Sequence, residues 1–335
     1  MVSGFWKTLK KPIFVLAPMA NVTDCAFRYI IAKYGKPDVV WTEFVSCDGL
    51  CSPGRENILI DLKYSEIERP IIAQIFGAKP DNFYKTALLI QELGFDGIDI
   101  NMGCPDKSVS GKQGSGAALI QEPKLAQKII FETKRGAGTL PVSVKTRLGF
   151  NKNVIDTWLP TLLETEPAAI TLHARTKKEM SKVPAHWDQI ARAVEIRNSF
   201  DSSENRTLLL GNGDVPDLED AQKKIDETGC DGVMIGRGIF GNPWLFNRER
   251  DYKTISVDEK LRVMVEHTKL FEELLGKHKS FMIMKKHYKA YVNGFDGAKE
   301  LRVELMEARD AREIEGKVSI FLSKNKGLST LNIDV

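Results

Sequence analysis

The chain has 335 residues, with 48 Lys and Arg against 45 Asp and Glu and a formal charge of +3, a length that suits two domains or one large barrel with an appendage. Hydrophobic residues at 42% and charged residues at 28% exclude a disordered chain, a basic tail protein and an acidic solvating protein, but leave room for a nucleic-acid partner, which needs only a local basic face. No apolar run approaches the roughly 18 residues of a membrane span, and five scattered cysteines, an odd number, suit free thiols in a reducing compartment, so a cytoplasmic protein away from membranes is expected.

Lys7, Lys10 and Lys11 precede the apolar stretch 13–20, which imitates a weak signal peptide. Pro18 breaks that stretch and no small-residue cleavage pattern follows, so a buried first strand is predicted at 13–17. Further strands are predicted at 39–43, 71–76, 97–101, 141–146, 168–172, 207–211 and 232–236. These runs lack sustained polar alternation, as parallel strands buried on both faces do. Helical patterns lie between them. One at 81–93 opens after Pro80 and stops at Gly94; others cover 123–134 and 217–228, the last closing at Gly229. Eight such units predict an α/β fold, a (β/α)8 TIM barrel. A doubly wound sheet is the alternative, but Pro18-Met19-Ala20 follows the first strand where a Gly-rich dinucleotide turn would be expected. Beyond about residue 250 strand signals stop, and helices are predicted at 258–275, 280–292 and 298–311. The expected division is a barrel over 1–250, a small all-helical C-terminal domain over 251–325, and a flexible tail over 326–335.

In such a barrel the chemistry lies at the carboxyl ends of the strands. Those ends carry Pro18, Met19 and Ala20; Gln74; Asn101 and Cys104; Lys145 and Arg147; His173 and Arg175; Asn212, Gly213 and Asp214; and Gly236 and Arg237. Packing alone does not call for polar residues at one end of strand after strand. The two Gly loops after the last two strands suit a phosphate group, with Arg237 adding charge. Lys145 must face a partner, because burying it unpaired is expensive. That partner can be an anionic cofactor ring, a Schiff-base substrate or a structural carboxylate. Gln74 and His173 suit hydrogen bonds to a heteroaromatic ring. Cys104, between Gly103 and Pro105, can serve as nucleophile or as proton donor, depending on its pKa. Cys47 and Cys51 have no neighbouring Cys or His to complete four ligands, so no metal is expected. From 274 to 295 there is no acidic residue, while Lys277, Lys279, Lys285, Lys286 and Lys289 are interleaved with His287, Tyr288 and Tyr291. That mixture suits a phosphate backbone and stacked bases, or simply a solvated helix face.

Taken together, these stretches resemble the tRNA-dihydrouridine synthase family. The resemblance rests on L-A-P-M-A-N-V-T-D-C-A-F-R (16–28), W-T-E-F-V-S (41–46), A-Q-I-F-G (73–77), D-I-N-M-G-C-P (99–105) and G-S-G-A-A-L (114–119). It continues through V-K-T-R-L-G (144–149), T-L-H-A-R-T (171–176), G-N-G-D (211–214), D-G-V-M-I-G-R-G with G-N-P-W-L-F (231–246), and M-K-K-H with F-D-G-A-K-E-L-R (284–302). It spans residues 12–305 in order. The resemblance implies a barrel with tightly bound FMN, reduced by NADPH or NADH, that reduces the C5–C6 double bond of uridine in tRNA. By the same resemblance Pro18, Met19 and Ala20 lie beside the flavin, and Gln74, Lys145 and His173 contact its ring and ribityl chain. Asn212, Gly213, Asp214, Gly236 and Arg237 hold its phosphate end, and Cys104 is the catalytic acid. Asn101, Arg147 and Arg175 line the substrate side, and the helical domain, with Lys285, Lys286 and Lys289, grips the tRNA. A monomer is expected.

The chain departs from the family pattern at Asn21 and Ala174, where Gly or another small residue is common, and over 181–187, where S-K-V-P-A-H-W replaces the usual Y-S/T-G-P-A-D-W. Competing readings are an FMN barrel acting on a free pyrimidine, an RNA-binding module that keeps flavin for structure only, and a Schiff-base aldolase using Lys145.

Overall fold

The computed structural model describes residues 3–111, 114–203 and 206–325; the expected tail over 326–335 lies outside them. Among the described residues nine strands form one parallel sheet: β1 Ile13–Leu16, β2 Val40–Trp41, β3 Val45–Ser46, β4 Ile71–Phe76, β5 Gly97–Met102, β6 Val142–Gly149, β7 Ala169–Thr176, β8 Leu208–Asn212 and β9 Gly232–Ile235. Their order is β1-β9-β8-β7-β6-β5-β4-β2, with β3 also on β4. A parallel bridge between Val15 and Val39 brings β1 beside the chain entering β2, so the sheet nearly closes into an eight-position TIM barrel. The predicted strand 39–43 is cut to β2, with β3 beyond its predicted end, because the ladder is interrupted: the Thr42 hydroxyl, not a strand carbonyl, accepts from the Gln74 N–H at 3.1 Å. β6 and β7 run past their predicted ends to Gly149 and Thr176, with a register shift between Arg147 and Gly149. Arg147 and Arg175 therefore stand on strands, not in the loops that follow.

Residues of opposite strand parity enter different cores. Phe14, Ala73, Ile75, Ile98, Ile170 and Val233 pack outward against the helices. Ile13, Val15, Trp41, Ile72, Leu208, Leu210 and Met234 fill the barrel interior, closed below by Trp6, whose ring lies 6.1 Å from that of Trp41. Inward positions turn from apolar to polar along β4 and β8, Ile72 then Gln74 and Leu210 then Asn212, while β5 and β6 are polar earlier, Asp99 then Asn101 and Ser143 then Lys145 and Arg147. This gradient places the polar side chains together at the carboxyl end.

The helices start and stop on local signals. Pro80–Glu92 has Pro at its first position. Leu218–Thr228 is capped by Asp217 and ends at Gly229 with φ +70°, a left-handed conformation that favours glycine. After β9 the chain forms Val257–Leu275, a 3-10 turn Phe281–Met284 running into Lys285–Tyr291, then Ala298–Glu307 and Ala311–Lys324. The expected helix 298–311 ends early, at Glu307 before the extended Ala308, and a further helix Ala311–Lys324, beyond those expected, starts at the Asp310 cap. These helices share a core, with Met264, Phe271, Tyr288 and Leu301 meeting Ile30 and Trp244. His287, Tyr288 and Tyr291 are buried there. They are core residues and present no stacking surface, a correction to the reading of this helix as an aromatic platform. No described helix is long and apolar enough to cross a membrane, and no described cluster of His, Cys, Asp or Glu could hold a metal ion.

The turn after β1 is held from below. Arg28, on the helix Cys25–Tyr34, donates to Glu68 at 2.6 Å, to the Thr23 carbonyl at 2.7 Å and to the Lys63 carbonyl at 2.6 Å. Arg28 and Glu68 are both buried, and removing one partner leaves an uncompensated charge. Glu68→Ala should therefore cost about 3–5 kcal/mol, read by urea unfolding; a loss of about 0–1 kcal/mol, as for a surface pair, would contradict this account.

Candidate active site

The polar ends of the strands converge on one cavity of about 800 Å³, the size of a small-molecule or cofactor site. β1 leads into Pro18 and Met19. β4 contributes Gln74; β5 contributes Asn101, and its following loop Cys104. β6 supplies Lys145 and Arg147, and β7 supplies His173 and Arg175. β8 contributes Asn212 and the Gly213-Asp214 turn, while Gly236 and Arg237 follow β9. Ala20 is exposed and stands outside this wall. Phe44, Met180, Ser181 and Met234 also line the cavity. Phe44 follows Glu43 in the interrupted strand, and an interruption of that kind leaves no periodic signal. Met180 and Ser181 come from the divergent loop after β7, whose closure over the mouth depends on tertiary bonds. Arg147 donates to the Met180 carbonyl at 3.2 Å and Arg175 to the Val183 carbonyl at 2.6 Å.

Among the described residues four cations, Lys145, Arg147, Arg175 and Arg237, face this space with a single carboxylate, Asp214. Asp214 receives Arg175 on one oxygen and Arg237, at 2.7 Å, on the other. These guanidinium groups, with the Ala185 N–H, hold its carboxyl below the usual range against the opposing effect of burial. It sits at φ +52° beside Gly213 at φ +134°. A Cβ on Gly213 would press on Ala185 Cβ at 2.8 Å, so glycine is required for the approach of this turn. At Gly236 an added Cβ would meet only Ala17 and Met19 side-chain atoms, at 3.6 and 3.8 Å. Lys145 donates to Asn212 Oδ1 at 3.3 Å, and Asn212 in turn donates to the Met234 carbonyl at 2.7 Å. Burial, then Arg147, lowers Lys145 to about 8. His173 is pushed well below its ordinary value by burial and by Arg147 and Lys145, so its imidazole is neutral. Burial raises the Cys104 thiol, so at neutral pH it carries its proton.

The three helical lysines are not equivalent. Lys285 is half-buried and donates to the Met306 carbonyl. Lys286 reaches the Asn21 carbonyl in the turn after β1. Only Lys289 is exposed and absent from any side-chain hydrogen bond or ion pair among the described residues. Lys279 is largely buried, paired with Glu43 at 2.6 Å and Asp61 at 2.7 Å. It docks the helices on the barrel. Cys25, Cys47 and Cys230 are buried free thiols and Cys51 is exposed.

Comparison with known proteins gives the family and the fold. The family model described as dihydrouridine synthase matches residues 15–326. The chain is 41% identical over 329 residues to a probable tRNA-dihydrouridine synthase 2 of Bacillus subtilis strain 168, covering 97% of this chain and 98% of that protein. It is also 41% identical over 327 residues to a probable tRNA-dihydrouridine synthase of Staphylococcus aureus strain COL, covering 96% of each. Among solved structures, histamine dehydrogenase from Rhizobium sp. 4-9 superposes with a TM-score of 0.52 at 12% identity, covering 77% of this chain and 48% of that one. The 6-hydroxypseudooxynicotine amine oxidase of Pseudomonas geniculata N1 gives 0.51 at 13%, covering 80% and 54%. The two structures share the barrel fold with this chain.

Lys145 provides a pH signature. At pH 7 it is charged folded and unfolded, and the folded state bears the burial of that charge. Between about 8 and 10.5 it is neutral when folded yet still charged when unfolded, so its contribution to stability rises with pH. Lys145→Met should be more stable than the parent at pH 7, with the gap closing by pH 10.5 in urea unfolding without added anions. A gap independent of pH would contradict the assignment.

Proposed function

The chain belongs to the dihydrouridine synthase family and is an oxidoreductase, and on that premise we propose that it reduces the C5–C6 double bond of uridines in tRNA using FMN recharged by NADPH or NADH. The observation that carries this reading is a protonated thiol, Cys104, on the rim of a cavity whose wall presents four cations against one carboxylate. Such a wall fits a ligand bearing a phosphate and an electron-rich ring. Gly213, Gly236 and Arg237 would take the phosphate end, where backbone N–H groups are open to close approach. Asn212 would assist there. Asp214 is itself an anion, so its part is to hold Arg175 and Arg237 in place and not to touch a phosphate. Gln74, Lys145 and neutral His173 would hold the ring and its side chain, with Pro18 and Met19 along its edge.

When bound, the flavin supplies the hydride that uracil accepts at C6, the β-carbon of an enone. Charge then gathers at C5 and the C4 carbonyl, and the Cys104 Sγ–H protonates C5 as general acid. The raised thiol pKa favours this role over that of a thiolate nucleophile. Asn101, Arg147 and Arg175 face the same space and would orient the base and its flanking phosphate. A base inside an RNA fold must leave its stack to arrive there. The helices after residue 250 would hold the rest of the tRNA, with Lys277 and Lys289 the lysines of the basic stretch that are free to meet a phosphate.

The proposal is tested by anaerobic reduction with NADPH followed by unmodified tRNA. The parent protein should be reoxidised by tRNA; Cys104→Ala should bleach normally yet lose at least about 100-fold in reoxidation rate, as for removal of a general acid. Unchanged reoxidation would remove Cys104 from the chemistry, and reoxidation by orotate but not tRNA would transfer the activity to free pyrimidines. Lys289→Glu should weaken tRNA binding and reduce the slope of log affinity against log salt by about 1, with NADPH oxidation unaltered. An unchanged salt slope would place the phosphate contacts elsewhere.

A further inference from the structure

We propose that Asp99, a residue that does not touch the cavity, is the positioning residue that supplies the obligate acceptor at the end of a buried hydrogen-bond chain and through it holds the Cys104 loop in place. Asp99 lies on the inward face of β5, two residues before Asn101, and is 1% exposed. One carboxylate oxygen accepts from the Ser143 hydroxyl at 2.6 Å, and the other accepts from Gln74 Nε2 at 2.6 Å. Gln74 Oε1 then accepts from Asn101 Nδ2 at 3.1 Å. Asn101 Oδ1 accepts from two backbone N–H groups at once, Gly103 at 3.1 Å and Cys104 at 2.9 Å.

Only one direction satisfies this chain. The amides of Gly103 and Cys104 can only donate, so Asn101 must turn its oxygen to them and its NH2 to Gln74. Gln74 must then offer its oxygen to Asn101 and its NH2 to Asp99. The chain therefore needs an obligate acceptor at its far end, and a carboxylate is one. Burial raises the Asp99 carboxyl to about 6, against hydrogen bonds from Ser143 and Gln74 and the field of Lys145, which leaves it ionised at neutral pH. An apolar residue at this position would leave the Gln74 NH2 buried and unpaired. Rotating the amide does not repair this, because its NH2 would then face the Asn101 NH2. In either orientation Gln74 loses its anchor, and its hold on Asn101 and so on the two loop amides weakens. Gln74 and Asn101 both line the cavity, so the same chain also fixes which polar atom each shows to a ligand.

The loop claim stands without any bound group; its consequence for proton delivery rests on the function proposed above. The test uses hydrogen exchange of the peptide containing Gly103 and Cys104, together with iodoacetamide labelling of Cys104 followed by mass spectrometry. Exposed Cys51 serves as an internal standard. In Asp99→Leu, exchange at these amides and labelling of Cys104 relative to Cys51 should each rise by about fivefold, the equivalent of one lost hydrogen bond. Asp99→Asn can keep an oxygen toward Gln74 and give its NH2 to Ser143 Oγ, and should stay within about twofold of the parent. Should Asp99→Leu fail to fold, Gln74→Met breaks the chain at the next link and should raise both rates in the same way. Parent-like rates in the apolar variant, or an Asn variant as labile as the Leu variant, would overturn the proposal. Failure of the parent to react with tRNA would instead overturn the proposed function and leave the exchange result standing.

Discussion

The structure depends on the requirement that every polar group on the inner wall of the barrel find a partner. Most strands begin the inward face with apolar side chains that fill the lower barrel over Trp6, and β5 and β6 place the Asp99–Ser143 pair there. That face ends with groups that cannot be left bare at low dielectric: Gln74, Asn101, Lys145, Arg147, His173, Arg175 and Asn212. The two arginines spend donors on loop carbonyls, which binds the loops to the strands. Asp214 answers Arg175 and Arg237, and Lys145 has only an amide oxygen. The wall stays short of negative charge, which suits it to an anionic ligand. Chemistry and stability are thus opposed at Lys145: its charge weakens the ligand-free fold and would attract the ligand.

The same accounting changes the view of the basic C-terminal stretch. A run of lysines without acids reads as a nucleic-acid face, yet part of its charge is spent on the protein itself. Lys279 joins Glu43 and Asp61, and Lys286 reaches Asn21. Glu43 also receives the Asn21 N–H. These contacts tie the helices to the turn whose next residues, Pro18 and Met19, form a wall of the cavity. Asn21 stands at φ +55°, a conformation that glycine adopts without strain and asparagine tolerates, which is how this chain keeps the turn despite departing from the usual small residue.

Much of the fold was legible because parallel strands buried on both faces leave continuous apolar runs and because Pro80, Gly94, Asp217 and Gly229 punctuate the helices. The residues that line the cavity were legible for a related reason: polar groups at the ends of such runs have no packing role. Three things were not. The break in the second strand comes from one side-chain hydroxyl replacing a backbone acceptor. β6 and β7 looked shorter than they are because Arg147 and Arg175 resemble loop residues until the barrel supplies their partners. The burial of His287, Tyr288 and Tyr291 depends on which face of a short helix meets Phe27 and Thr268, and local composition does not reveal that. Asp99 was quoted within a motif, but its task appears only when the chain of hydrogen bonds to Cys104 is followed through space.

The most direct test of the central claim, that this wall is built for a phosphate-bearing ring, is the identity of whatever the purified protein carries. Absorption spectra followed by mass analysis of the released ligand should show flavin bands and flavin mononucleotide, with Arg237→Ala retaining less of it. A protein that carries no flavin and takes none up from solution, or that binds riboflavin as tightly as its phosphate, would contradict the account.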